Sequence, residues 1–278
     1  MKIAAIERAP ENSPGMVDND RAILAATAEQ LRAMGHNVEF TKTVVSGNSR
    51  FDAIIHMSRT KEILKALADT EKSGTRIYNT PQAVERCSRS TFIGILAQKD
   101  IPQPTYSIIE GNDAPREGYP MWLKRGDGWS CHSGDVAFVI DHHEAIEAIE
   151  EMHKRGIKEI ITSPHIVGDI VKFYGVSGSE DTPTFFRFYY PDADKTKFQL
   201  EKHNGECRRY PFDEETLQKI AFTAARAIGL DIFGGDCIVS PTGEIHLIDI
   251  NDFPSFKACR DEAAAAIAKL INSKTEER

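Results

Sequence analysis

GGDCIVSPTGEIHLIDINDFPSF, residues 234–256, holds two short apolar runs with a cluster of turn formers between them. Cys237, Ile238, Val239 and Ser240 read as one strand, Pro241 to Glu244 as the turn, and residues 245–250 as a second strand. The pattern predicts a hairpin. Side chains of a regular strand alternate faces, which groups His246, Ile248 and Ile250 on one side and Leu247, Asp249 and Asn251 on the other. With Asp236 on the first strand, Asp249 and Asn251 form a candidate set of hard oxygen ligands. Burying such a face is costly unless a cation or hydrogen bonds satisfy it. Carboxylate and amide oxygens suit Mg²⁺, which binds through one or two carboxylates together with substrate phosphates. The same residues also suit a hairpin end closed by Asx-type turn bonds.

The rest of the chain sets the frame for that hairpin. Its 278 residues, 41% apolar and 27% charged, are ordinary for a globular protein of two or three small lobes. The opening MKIAAIERAP lacks the pattern of a secretory signal, and no apolar run is long enough to span a bilayer, so the expectation is a cytoplasmic protein without membrane contact. Five cysteines, Cys87, Cys131, Cys207, Cys237 and Cys259, show no C-x-x-C spacing, which argues against a disulfide framework and a zinc site. A net charge of -8 argues against general nucleic-acid binding but leaves room for a small anion in a local basic pocket.

Strands are expected at residues 2–7, 38–40, 52–57 and 76–79, with helices over 18–34 and 61–72 between them. This alternation argues for a parallel α/β sheet. Thr80 and Pro81 open a further helix that closes at Ile101-Pro102. Residues 121–125 form a strand ending in Lys124 and Arg125. The loop of residues 126–134 follows, its glycines letting backbone N–H groups approach phosphate oxygens beside Lys124. A strand over 135–140 and a helix over 142–155 come next. A strand is also read on FFRFYY. An amphipathic helix over 217–228 ends at Gly229, with Asp213 to Glu215 at its positive end, and a final helix covers 260–271.

The acidic residue on one strand, followed by D-I-N on the next, resembles the last core hairpin of the ATP-grasp enzymes. The run through TFIGILAQKDIPQPTYSI is similar to the linker of their RimK and glutathione synthetase branch. The resemblance implies an α/β ATP-grasp fold, in which an amino-terminal parallel lobe (1–84) precedes two α+β lobes (85–167 and 168–278) that sandwich the nucleotide. It implies ATP with one or two Mg²⁺, or Mn²⁺, held by Asp236, Asp249 and Asn251. Arg89, Lys124, Ser130, Asp169 and Lys172 become nucleotide contacts, and Ser163, His165 and Ile166 lie on an adenine-binding hinge whose backbone makes the contacts. Arg187 becomes a cation for the transferred phosphoryl group, against the alternative of a solvent-facing strand residue.

The implied activity is a carboxylate–amine ligase working through an acyl phosphate on small-molecule substrates, with Met57-Ser58-Arg59 as a candidate pocket wall and a homo-oligomer as a possible assembly. DINDFP is also similar to the D-I-N-x-F-P of the inositol polyphosphate kinases. That alternative asks for a cluster of cations around the substrate, and His56, Arg59, His132 and Arg187 are its candidates.

Overall fold

The computed structural model describes residues 1–43, 47, 49–109, 111–178, 183–191 and 200–276. Continuous apolar runs dictate the first sheet. Strands β1 (Lys2–Ile6), β2 (Asn37–Phe40), β3 (Ala53–His56) and β4 (Arg76–Tyr78) pair in parallel in the order β2-β1-β3-β4. Helices α1 (Val17–Ala33) and α2 (Lys61–Lys72) connect them. All of β3 is buried, as expected of a parallel strand covered on both faces.

A single helix after Thr80 is not what forms. The chain makes α3 (Pro81–Glu85), capped by Thr80 accepting from the Ala83 N–H, and then α4 (Arg89–Gln98). Ser88 takes an extended backbone, and its carbonyl accepts from Thr91 and Phe92, so it starts a new helix rather than continuing the first.

The second sheet is antiparallel, in the order β5-β8-β6-β7, from β5 (Ser107–Ile109), β6 (Met121–Arg125), β7 (Val136–Val139) and β8 (Ile160–Pro164). Helix α5 (His142–Lys154) buries Ala145, Ile149 and Met152 with Leu123, Val139 and Ile160 of this sheet. The third sheet is also antiparallel, β10-β9-β11-β12, from β9 (Asp169–Val176), β10 (Phe185–Tyr189), β11 (Ile232–Val239) and β12 (Ile245–Asp252). Helix α6 (Glu214–Ile228) starts at Asp213, whose carboxylate accepts from the Glu215 and Thr216 N–H groups. It stops at Gly229, which holds a left-handed φ of 96°. Its Leu217, Ala221, Ala225 and Ile228 share a core with Phe173, Phe233, Leu247 and Ile250 of the sheet and Phe92 of α4. Each large apolar side chain buried there contributes about 1.5–3 kcal/mol.

The first and third sheets are joined by more than chain continuity. Helix α7 (Arg260–Glu276) brings Ala264, Ile267 and Ile271 into one core with Ile23, Leu24 and Leu31 of α1 and with Val176 and Ile232. Asn79, fully buried after β4, donates to the Ile232 carbonyl at 2.7 Å and accepts from the Asp231 and Ile232 N–H groups at 2.7 and 2.9 Å. These bonds tie the end of the parallel sheet to the start of β11.

The hairpin departs from the regular alternation in one respect. Asp236 pairs with Asp249 but Cys237 pairs with Leu247, so Ile248 is an extra residue in β12. This bulge resets the faces: Leu247 joins the core with Ile250, while Ile248 turns to the cavity with Asp249 and Asn251.

Candidate active site

The third sheet presents its chemistry as rows. Pairing places Tyr189, Lys172, Asp236 and Asp249 side by side across β10, β9, β11 and β12, with Arg187, Tyr174, Gly234 and Asn251 in the row two residues away. Side chains in such rows share a face. Lys172 Nζ lies 3.0 Å from both Asp236 carboxylate oxygens. Asp249 is 3.6 Å from the Arg89 guanidinium and accepts from the Asn251 amide at 3.2 Å. The glycine pair before Asp236 is required by space. A Cβ on Gly235 would overlap the Asp249 carbonyl and the Phe173 ring, and one on Gly234 would stand 2.8 Å from both Pro254 and Tyr174.

This face forms one side of a cavity of about 690 Å³. The second sheet contributes Trp122, Lys124 and Ser163, the loop after β6 contributes Gly128, Trp129 and Ser130, and Arg89 enters from the start of α4. Burial and the neighbouring Arg89 pull the Lys124 ammonium down to about 7, against the opposing pull of Asp249 and Asp236. The loop is anchored at its far end. Buried Asp135 accepts from the Cys131 and His132 N–H groups at 2.8 Å and from Arg155 at 2.6 Å.

The first sheet closes the other side. Arg8, just after β1, and Arg59, just after β3, converge on Asp252 at the end of β12. Arg59 Nε donates to Asp252 Oδ1 at 2.8 Å, and Arg8 Nη2 lies 3.3 Å from Oδ2. Arg8 also donates to the Met57 and Phe253 carbonyls, both at 3.0 Å, and sits 3.5 Å from Asp20. Burial works to raise the Asp252 carboxyl, but the two guanidiniums hold it below the ordinary carboxylate value. The Trp129 ring lies over the Arg59 guanidinium at 5.2 Å, so the glycine-rich loop rests against the amino-terminal lobe.

Of the residues read from the sequence, Asp236, Asp249, Asn251, Arg89, Lys124, Ser130, Ser163, Ile166, Lys172 and Arg59 all line this one cavity. Three others stand apart. Arg187 lies on the right face of β10, but at the sheet edge, where it pairs with Glu262 at 2.5 Å with both side chains more than half exposed. Asp169 is buried outside the cavity, accepting from the Arg208 and Tyr210 N–H groups at 2.7 and 2.8 Å, a structural role. The His165 N–H goes to the Pro120 carbonyl and its ring Nδ1 accepts from the Trp122 indole, so those two groups are not open to a ligand. The cation cluster expected of a polyphosphate site is likewise dispersed. His56 is buried against the Asn79 carbonyl, and His132 accepts from the Gly134 N–H in its own loop.

Arg8, Trp129, Tyr174, Tyr189 and Asp252 line the cavity without having been singled out as site residues. Arg8 stands beyond a parallel strand's carboxyl end, and that position was the available signal. Among the described residues no three His, Cys, Asp or Glu side chains are arranged to hold a metal. The candidate set has two carboxylates and one amide. These hard oxygens fit Mg²⁺, and cations of this chain already lie against both carboxylates.

A parallel sheet followed by two antiparallel sheets around one cavity defines the class: the chain has the ATP-grasp fold. The RimK domain ATP-grasp protein from Sphaerobacter thermophilus DSM 20745 matches it with a TM-score of 0.67 at 20% identity, over 97% of this chain and 98% of that one. The ATP-grasp ligase PsnB, solved with a minimal precursor, matches at 0.65 and 14% identity, over 98% of each chain. D-alanyl-alanine synthetase A from Vibrio cholerae O1 biovar eltor str. N16961 matches at 0.64 and 12%, over 92% of this chain and 89% of that one. Beta-citrylglutamate synthase B of Danio rerio is 20% identical over 239 residues, 76% of this chain and 54% of that protein, so the chain spans about half the length of that curated relative. No family model matches the chain. No described helix is long and apolar enough to cross a membrane.

Proposed function

We propose that this protein is an ATP- and Mg²⁺-dependent ligase that joins a carboxylate to an amine through an acyl phosphate. The observation that carries the reading is the row Lys172–Asp236–Asp249, with Asn251 beside it, facing Arg89 and Lys124 across one cavity. The names of the similar proteins, a synthetase, a synthase and a ligase among them, support the same class of reaction. ATP with Mg²⁺, when bound, supplies a γ-phosphoryl group for the carboxylate oxygen, and an amine then attacks the acyl carbon and displaces phosphate.

The chain's own residues divide that work. Asp236, Asp249 and Asn251 hold the metal. Arg89, Lys124 and Lys172 meet the phosphates as cations. Ser163 and Ile166 line the end of the cavity toward the adenine, while Ser130 and Trp129 close the glycine-rich loop over the phosphates and keep water out. Arg59, beyond a parallel strand and held by Asp252, orients the carboxylate substrate from the amino-terminal side.

The three sheets lie wholly within residues 1–84, 85–167 and 168–278, which supports those spans as the three lobes. Small-molecule substrates, a cytoplasmic location and a homo-oligomeric state belong to the same proposal. The test is ATP turnover with Mg²⁺ against a panel of amino acids, small carboxylates and inositol phosphates, reading free phosphate and product mass together. Phosphate released with loss of one water between two substrates is expected. A product heavier by one phosphoryl group without free phosphate would replace the ligase with a kinase.

A further inference from the structure

We infer that Lys172 is a built-in counter-cation seated on the metal ligand Asp236, and that it makes binding of a divalent metal conditional on nucleotide phosphates. The inference rests on the reading of Asp236, Asp249 and Asn251 as the metal site. It concerns what fills that site before the nucleotide arrives.

The register of β9 against β11 sets Lys172 directly opposite Asp236, and Nζ lies 3.0 Å from both carboxylate oxygens. The two side chains are only 22% and 25% exposed, so the pair is shielded from water and worth more than a surface ion pair. The adjacent carboxylate is treated similarly: Asp249 Oδ1 faces Arg89 at 3.6 Å and Oδ2 accepts from Asn251 at 3.2 Å. A metal entering here meets ligands already engaged by donors of this chain.

Charge reinforces the block. At this end of the cavity Lys172 and Arg89 already balance Asp236 and Asp249, so a bare divalent ion would bring uncompensated positive charge. A nucleotide reverses the balance, because its phosphates bring more negative charge than the metal brings positive. They also give Lys172 a second partner. A lysine suits such an exchange, since its ammonium is a point charge on a flexible stem and needs no fixed fork geometry. As the metal takes the Asp236 oxygens, the ammonium moves to a phosphate, and no covalent bond changes.

The test uses Mn²⁺ without nucleotide, read by loss of the free-ion electron paramagnetic resonance signal on titration with the full chain. Wild type is expected to bind Mn²⁺ weakly. Lys172→Met is expected to bind one ion about tenfold or more tightly, because a competing charge is gone. Adding Asp236→Asn to that variant should abolish the gain. Lys172→Gln, which keeps a polar side chain, should repeat the gain if Lys172→Met fails to fold, with thermal melting used to confirm each variant is folded. No tightening in a folded Lys172 variant would overturn the inference, as would a gain that survives Asp236→Asn. The readout is binding alone. A wild-type protein without turnover on any acceptor would defeat the ligase reading while leaving the Mn²⁺ gain intact.

Discussion

The parallel amino-terminal sheet and the antiparallel carboxy-terminal sheet bound the same cavity in different ways. In the parallel sheet the central strands β1 and β3 are largely buried, and chemistry emerges beyond their ends, through Arg8 and Arg59. In the antiparallel sheet the chemistry lies along the strands themselves, as Lys172, Asp236, Asp249 and Asn251 in neighbouring rows. A row is fixed by backbone pairing and resists variation, which suits a nucleotide and metal site. Residues at strand ends are free to differ with the substrate, and here they need a separate anchor, Asp252, to hold them.

The sharpest way to break this contrast is Asp252→Ala. It removes the counter-ion shared by two guanidiniums that are each less than a tenth exposed, so a stability loss of about 3–5 kcal/mol is expected by thermal or denaturant unfolding. Because the Asp252 carboxyl is held low by Arg59 and Arg8 against the pull of burial, its contribution is present above the ordinary carboxylate value. It is lost as pH falls through the depressed folded value. The variant should therefore be less acid-sensitive than wild type.

Asp249→Ala should do the reverse. Its side chain is 29% exposed, so melting should hardly move, while turnover falls by about 10²–10³-fold. Stability lost with Asp249→Ala, or turnover lost without stability in Asp252→Ala, would erase the division between the two sheets.

A smaller effect sharpens the row side. Lys124 is pulled down to about 7 by burial and by Arg89, so in the free protein it is mostly neutral at pH 8. Phosphates favour the ammonium form. Nucleotide binding should take up a proton, and affinity should weaken by up to about tenfold per pH unit above that value. Calorimetry in buffers of different ionisation enthalpy reads the uptake, and Lys124→Arg should remove the pH dependence, since Arg stays charged throughout. The smallest expected effect is that of Arg187→Ala. An exposed pair at the sheet edge contributes about 0–1 kcal/mol, and turnover should be unchanged. A large loss of turnover would return Arg187 to the site.

What the sequence makes legible follows from how local each cause is. Apolar runs, Thr80, Asp213 and Gly229 are local signals, and the strands and helix ends they predict are present. The Ile248 bulge is not legible, because HLIDIN alternates without a visible break and only the pairing with Cys237 shows the extra residue. The Arg8–Asp252 contact joins residues 244 apart, beyond any spacing argument. Arg187 shows a different limit. Pairing puts it in the row of Tyr174 and Gly234, but that β10 is an edge strand, open to Glu262 of α7, is a property of the assembled sheet.

The most direct measurement uses an acceptor found in the turnover panel, its carboxylate labelled with oxygen-18. If the carboxylate oxygen attacks phosphorus and departs when the amine attacks carbon, each released phosphate carries one labelled oxygen. Unlabelled phosphate, with the amide keeping one labelled oxygen and the other found in AMP or water, would contradict the acyl phosphate and with it the proposed function.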